Sequence, residues 1–225
     1  MAELGNAKLF GGLGSLLLLI GGAIPNAGPI ISIVGLILVF IAVKTISDLS
    51  KDKEIFKNFT FYFIFLIIAM VSLFAIMFIG FGAAGGFAWI SELQTADITD
   101  LSSFWDFFGE IIIAAIIGLF VAWIFAVIGS IYLRKSYKSI AKHTNVKLFE
   151  TTGTLYFIGA ITSIILIGLL ILFIARIVEI IAYFSLPDSL PGAADSARKC
   201  PGCGRTIPED AMVCPYCGKD FKPSE

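Results

Sequence analysis

The sequence predicts an all-α membrane helical bundle of about five transmembrane helices, followed by a small C-terminal module built on cysteines. Three observations carry this. The 225-residue chain is 58% hydrophobic and only 15% charged, whereas soluble domains run nearer roughly 45–50% apolar and 25% charged. Its mean hydropathy is +0.94. All four cysteines fall between positions 200 and 217, outside every long apolar run. A secreted disulfide scaffold would spread its cysteines through the fold. The net charge of −1 gives no basic excess for nucleic acid and no general attraction for acidic substrates.

The apolar runs cover roughly residues 9–24, 30–46, 59–81, 111–133 and 154–175. A hydrocarbon core about 30 Å thick needs about 20 helical residues, so the last three are long enough outright. The first two are shorter and flank Pro25-Asn26-Ala27-Gly28-Pro29. Proline and glycine there interrupt a helix, which predicts a tight helical hairpin. A signal peptide over 1–28 is the competing reading; Glu3 and the immediate second apolar run count against it.

Loop charge sets the expected orientation. Lys44, Lys51, Lys53 and Lys57 occupy 44–58, and Arg134, Lys135, Lys138, Lys142 and Lys147 occupy 134–150. The segment 91–110 has no basic residue and carries Glu92, Asp97, Asp100, Asp106 and Glu110. The basic loops and the N-terminus are therefore expected in the cytoplasm, with the acidic loop outside. Trp89, Phe104, Trp105, Phe107 and Phe108 flank that loop as an interfacial aromatic belt does. Small residues recur one turn apart at Gly11/Ser15, Ala114/Gly118/Ala122, Ala126/Ser130 and Gly159/Ser163. Such faces let helix backbones approach closely, either within one bundle or in a homo-oligomer.

After the last span, Arg176 and Glu179 form an i,i+3 pair and read as the interfacial end of a long helix. Residues 1–184 are thus assigned to the bundle. Residues 185–199, SLPDSLPGAADSARK, form a Pro/Gly/Ser-rich flexible linker, and 200–225 form the terminal module.

That module reads KCPGCGRTIPEDAMVCPYCGKDF over 199–221. Cys200-Pro-Gly-Cys203-Gly204 and Cys214-Pro-Tyr-Cys217-Gly218 repeat one C-P-x-C-G knuckle. Two residues between cysteines let one tight turn aim both sulfurs at one ion, and the glycine admits positive φ. Two knuckles supply four thiolates, which closes a tetrahedral zinc site through Cys200, Cys203, Cys214 and Cys217. A dithiol redox centre of the CPYC kind belongs at a helix N-terminus in a βαβ domain, for which this tail is too short. Rubredoxin-like iron uses similar knuckles in a larger domain. Structural zinc is the favoured reading, with iron and dithiol chemistry as alternatives. A closed four-cysteine site has no open position and is not catalytic. Residues 200–225 hold Arg205, Lys219 and Lys222 against Glu209, Asp210, Asp220 and Glu225. Nucleic acid is therefore not an expected partner; a protein partner is.

No ionisable residue falls in the middle of a span, and the lone histidine, His143, stands in a basic loop with no carboxylate near it in sequence. Two stretches, VGLILVFIAVKTISDLSKDKEIFKNF (34–59) and AKHTNVKLFETTGTLYFIGAI (141–161), resemble an archaeal family of uncharacterised multi-pass membrane proteins. With GGLGSLLLLIGG the likeness covers roughly 8–180. The tail is similar to the double-knuckle zinc ribbons appended to many prokaryotic proteins. The resemblance implies an archaeal plasma-membrane protein and brings no activity with it. The expected function is non-enzymatic: a lipid-embedded bundle presenting a zinc ribbon to a protein partner. The alternative is a small-molecule or lipid transporter or channel with a regulatory ribbon. With five crossings the ribbon would lie outside, although reduced thiolates favour the cytoplasm; the count of spans tips the expectation slightly outward.

Overall fold

The computed structural model describes residues 4–89, 101–191, 197–208 and 211–221. Six apolar helices fill the first two stretches: α1 Leu4–Gly21, α2 Gly28–Ser50, α3 Lys53–Ala83, α4 Leu101–Thr144, α5 Leu148–Thr162 and α6 Ile167–Phe184. Two short strands follow, β1 Ala197–Lys199 and β2 Thr206–Pro208, paired antiparallel with Arg198 opposite Ile207. The expected α-helical membrane bundle with a cysteine-built tail is what the chain forms. The multi-pass character rests on six helices long and apolar enough to cross a bilayer.

The helix count exceeds the sequence expectation by one. Residues 154–175 were expected to cross once, yet the chain doubles back. Ser163–Ile165 tighten into a 3-10 turn and Leu166 adopts a left-handed conformation at φ 62°. No glycine or proline marks that corner, so periodicity and turn chemistry missed it. Gly168 makes the return feasible. A side chain there would collide with the Gly159 carbonyl and the Ser163 backbone, so only glycine lets the second arm start this close to the first. The two arms, Leu148–Ile165 and Ile167–Phe184, have 18 residues each, or about 27 Å. The corner exposes Ile164, Ile165, Leu166 and Ile167, a wholly apolar surface suited to lipid.

The remaining elements follow from local chemistry. Pro29 sits in the first turn of α2, where a missing N–H costs nothing. Lys51 ends that helix at φ 55°. Asp52 then caps α3, its carboxylate accepting the Glu54 backbone N–H at 3.0 Å. His143, at the end of α4, meets the same carboxylate at 3.1 Å. The histidine therefore has the acidic partner that sequence distance concealed. Ser136 of α4 donates to the Ile55 carbonyl at 2.8 Å and fastens this corner further.

At 31 and 44 residues, α3 and α4 extend about 46 and 66 Å, past the bilayer core. Their far ends join through Gly80 against Ala114 and through Trp89, whose indole N–H reaches the Phe107 carbonyl at 3.1 Å. The aromatic belt is thus a cluster of touching rings, with Trp89 stacked on Phe107 and edge-on to Phe108. Most of the acidic loop (90–100) lies outside the described residues. The small-residue faces are used within the chain: Gly11 lies under the Tyr183 ring, Gly159 against Leu172, and Gly118 beside Leu73. Phe74, Phe78 and Ile79 of α3 stay exposed, as lipid contact requires.

The main core lies toward the end of the bundle that carries the basic turns. It includes Val39, Ile46, Ile55, Leu133, Phe149 and Tyr183. Leu186 belongs to it and Leu190 packs on it, so the first residues of the expected linker lie against the bundle. At its other end, 197–199 pair with β2.

Candidate metal centre and a buried polar cluster

Each knuckle folds by its own sequence. In the first, the Cys200 N–H donates to the Arg205 carbonyl at 2.9 Å and the Gly204 N–H to the Cys200 carbonyl at 2.8 Å. In the second, Cys214 and Lys219 are linked at 2.9 Å, and Gly218 and Cys214 at 2.9 Å. Gly204 and Gly218 both sit at φ 70°, a conformation L side chains rarely adopt. The repeated C-P-x-C-G spelling therefore gives one repeated turn, and the two turns face each other.

Their sulfurs converge. All four Sγ atoms of Cys200, Cys203, Cys214 and Cys217 lie within 4.8 Å of one another. Cys200 and Cys217 are 3.5 Å apart, and Cys203 and Cys214 are 3.7 Å apart. A tetrahedral ion with metal–sulfur bonds of about 2.3 Å places its ligands about 3.8 Å apart. The spacing fits one metal ion. The Gly202 N–H points at the Cys200 sulfur at 3.3 Å, the arrangement that stabilises a thiolate.

Thiol acidity divides across the set. Burial raises the Cys200 thiol, but N–H donors from Gly202 and Cys203 with neighbouring sulfurs outweigh it, lowering it to about 6. The Lys219 N–H lowers Cys217, yet its hydrogen bonds to Cys214 and Cys200 prevail and push it up to about 12. Cys200 therefore forms a thiolate readily while Cys217 resists, as expected where like charges crowd one space. Ile207, Cys200 and Cys214 are the buried residues here, with Phe221 packed against them.

A second polar site was not anticipated. Glu179 is 2% exposed, deep in the bundle. Its Oε1 accepts from the Tyr137 hydroxyl at 2.5 Å, and its Oε2 from Tyr156 at 2.6 Å and from Arg176 Nη1 at 2.6 Å. The guanidinium lies 5.4 Å from the Tyr156 ring centre. The pair read as an interfacial helix end therefore faces inward, and α4, α5 and α6 meet on it. Its position near the end of an apolar run conceals this in the sequence. The available signal was tyrosine: four of the six, Tyr62, Tyr137, Tyr156 and Tyr183, are wholly or partly buried in this core. A cavity of about 410 Å³ reaches the cluster, with Arg176, Glu179 and Tyr62 at its polar end.

Comparison with known proteins bears on both regions. Residues 31–177 match a family described as a protein of unknown function, DUF996, and residues 198–223 match the uncharacterised protein family UPF0547. The chain is 33% identical over 189 residues to the uncharacterized protein MJ1644 of Methanocaldococcus jannaschii, an alignment covering 84% of this chain and 96% of that one. No solved structure matches.

Proposed function

The chain belongs to the DUF996 family, and on that premise we propose that it is a membrane-anchored zinc ribbon. In this reading residues 1–184 form the lipid-embedded anchor, 185–199 connect, and 200–225 form a ribbon offered to a protein partner. The observation that carries it is the convergence of four sulfurs within 4.8 Å. Four thiolates complete a zinc ion's coordination and leave no position for substrate, so the ribbon is structural and its exterior is the working surface. Met212, Val213 and Tyr216 project from it, 73%, 49% and 59% exposed, beside Arg205, whose guanidinium lies 4.9 Å from the Tyr216 ring.

Orientation follows from the extra helix. A hairpin returns the chain to the side it left, so α5 and α6 deliver the ribbon to the side of the 145–147 turn. With the basic turns inside, both the N-terminus and the ribbon face the cytoplasm. This replaces the outward expectation based on five crossings, and it puts thiolates where they stay reduced.

Two measurements test the reading. Elemental analysis of the intact protein should find about one zinc per chain, lost in Cys203→Ser. A photocrosslinker at Tyr216 should trap a discrete protein adduct in cells that disappears in the same variant. Iron in place of zinc, a reversible Cys214–Cys217 disulfide, or adducts insensitive to Cys203→Ser would overturn it. For orientation, single cysteines at Ile24, Lys138 and Lys199 in a tail lacking its native cysteines are labelled with an impermeant reagent. Only Ile24→Cys should react in intact cells.

The second reading, a lipid or small-molecule transporter with a regulatory ribbon, draws on the cavity beside Arg176. Proteoliposome flux of a fluorescent lipid, compared with protein-free vesicles, separates transport from binding alone.

A further inference from the structure

The cavity has a polar end and an apolar body. Ile33 of α2 and Ile67 and Met70 of α3 line it while being 59%, 44% and 60% exposed on the lipid face. It therefore opens sideways, between α2 and α3, into the bilayer. Leu36 and Leu66 line its body. Its volume of about 410 Å³ lies in the range of small-molecule sites, about 300–1,000 Å³.

The polar end restricts what enters. Glu179 already accepts from Tyr137, Tyr156 and Arg176. Both residues line the cavity, but the carboxylate already holds three donors, so the group left to bind a head is the guanidinium. A guanidinium carries five N–H donors and accepts nothing; the ion pair takes one through Nη1. A ligand head must therefore accept hydrogen bonds. It should also be uncharged, because Arg176 and Glu179 neutralise each other and a further charge would stand uncompensated at low dielectric.

We propose that this cavity binds one membrane amphiphile with an uncharged, hydrogen-bond-accepting head (hydroxyl, ether or carbonyl oxygen) set against Arg176. Its apolar tail runs past Leu36 and Leu66 and leaves between α2 and α3. The proposal rests on neither the ribbon nor transport, and Cys203→Ser should leave it untouched.

The full-length protein in liposomes is photolabelled with three diazirine-bearing chains of equal length, ending in an alcohol, a carboxylate or a trimethylammonium group. The alcohol should label peptides containing Leu36 or Leu66 saturably, on the order of tenfold above the two charged probes, and excess unlabelled alcohol should displace it; a 1.4 kcal/mol preference corresponds to that factor. Leu66→Trp, which fills the body, should abolish this labelling without lowering the melting temperature. If that variant does not fold, Met70→Trp blocks the mouth instead. The double variant Arg176→Met/Glu179→Gln removes the guanidinium, keeps a partner for the Tyr137 and Tyr156 hydroxyls, and should lose the preference for the alcohol head. The proposal fails if labelling is unsaturable and equally strong at Phe78, if a charged probe is preferred, or if the double variant keeps the alcohol preference.

Discussion

The ribbon and the bundle solve one problem with opposite means. The ribbon buries Cys200, Ile207 and Cys214, with Phe221 alongside, too little for a self-supporting core. Its four sulfurs, within 4.8 Å of one another, could instead take order from a shared cation. The bundle has apolar surface everywhere, and that surface decides little, since lipid is as apolar as leucine. Helix positions are set where backbones approach, as at Gly14 against the Gly35 carbonyl, and where polar groups meet, as at Glu179. In water the small module lacks apolar burial; in lipid the large one has it in excess. Each is specified by its rare groups.

The largest expected effect separates the two completely. Structural zinc binds such modules with about 10–16 kcal/mol of apparent free energy, which is also their folding energy. Cys203→Ser should abolish ordered structure in 197–221, read by hydrogen exchange on the full chain. The bundle's melting temperature in detergent should not move. A bundle that melts lower in this variant would mean that the two regions share stability.

The reciprocal change strikes the bundle. Removing one partner of a buried ion pair leaves the other uncompensated and costs about 3–5 kcal/mol. Glu179→Ala should destabilise the bundle by that amount and leave the zinc content unchanged. Replacing both partners by apolar residues of similar volume, Arg176→Met/Glu179→Leu, should recover part of the loss by removing the unpaired guanidinium, the remainder being the cost of the Tyr137 and Tyr156 hydroxyls left without their acceptor. Denaturant or steric-trap unfolding in bicelles gives both numbers. Equal losses in the single and double variants would show that the ion pair itself is not what orders α6.

Legibility in the sequence divides along the same line. The knuckles were readable because their determinants are local: Cys-x-x-Cys-Gly specifies a turn within five residues. The spans before residue 150 were readable from length and the Pro25–Pro29 break. The α5–α6 corner was not, because Leu166 carries no turn signal and the residue that permits the return, Gly168, sits inside the apolar run. Glu179 was not readable as a core residue either. Its partners Tyr137 and Tyr156 lie 42 and 23 residues away, and only folding brings them together.

A smaller effect is expected at the hydroxyls. A hydrogen bond to a charged group contributes about 1.5–3 kcal/mol. Tyr137→Phe and Tyr156→Phe should each destabilise the bundle within that range, and their combination should be non-additive because both serve one carboxylate. Additive losses would indicate that each hydroxyl also satisfies something other than Glu179.

The smallest effect lies at the membrane surface and sharpens the comparison through pH. Burial alone would raise the Asp52 carboxyl, but hydrogen bonds from His143, the Glu54 N–H and Ser139 outweigh it and hold it below its usual 3.8. A carboxyl depressed by folding stabilises the native state above its unfolded value, and that contribution disappears as pH falls through the folded value. The window is therefore below 3.8. The pair is partly exposed, 33% at His143 and 23% at Asp52, so its contribution is about 1 kcal/mol or less. Asp52→Asn keeps an N-cap acceptor and removes only the charge. Near neutrality it should melt slightly below the unaltered protein, and the gap should close as pH drops under 3.8. Zinc thiolates take up protons earlier in the same titration and release their metal, so the ribbon should be lost before the gap closes. A gap that is flat from neutral to acid would mean that the Asp52 charge contributes nothing and that the α2–α3 corner is held by neutral hydrogen bonds such as those of Ser47 and Ser136.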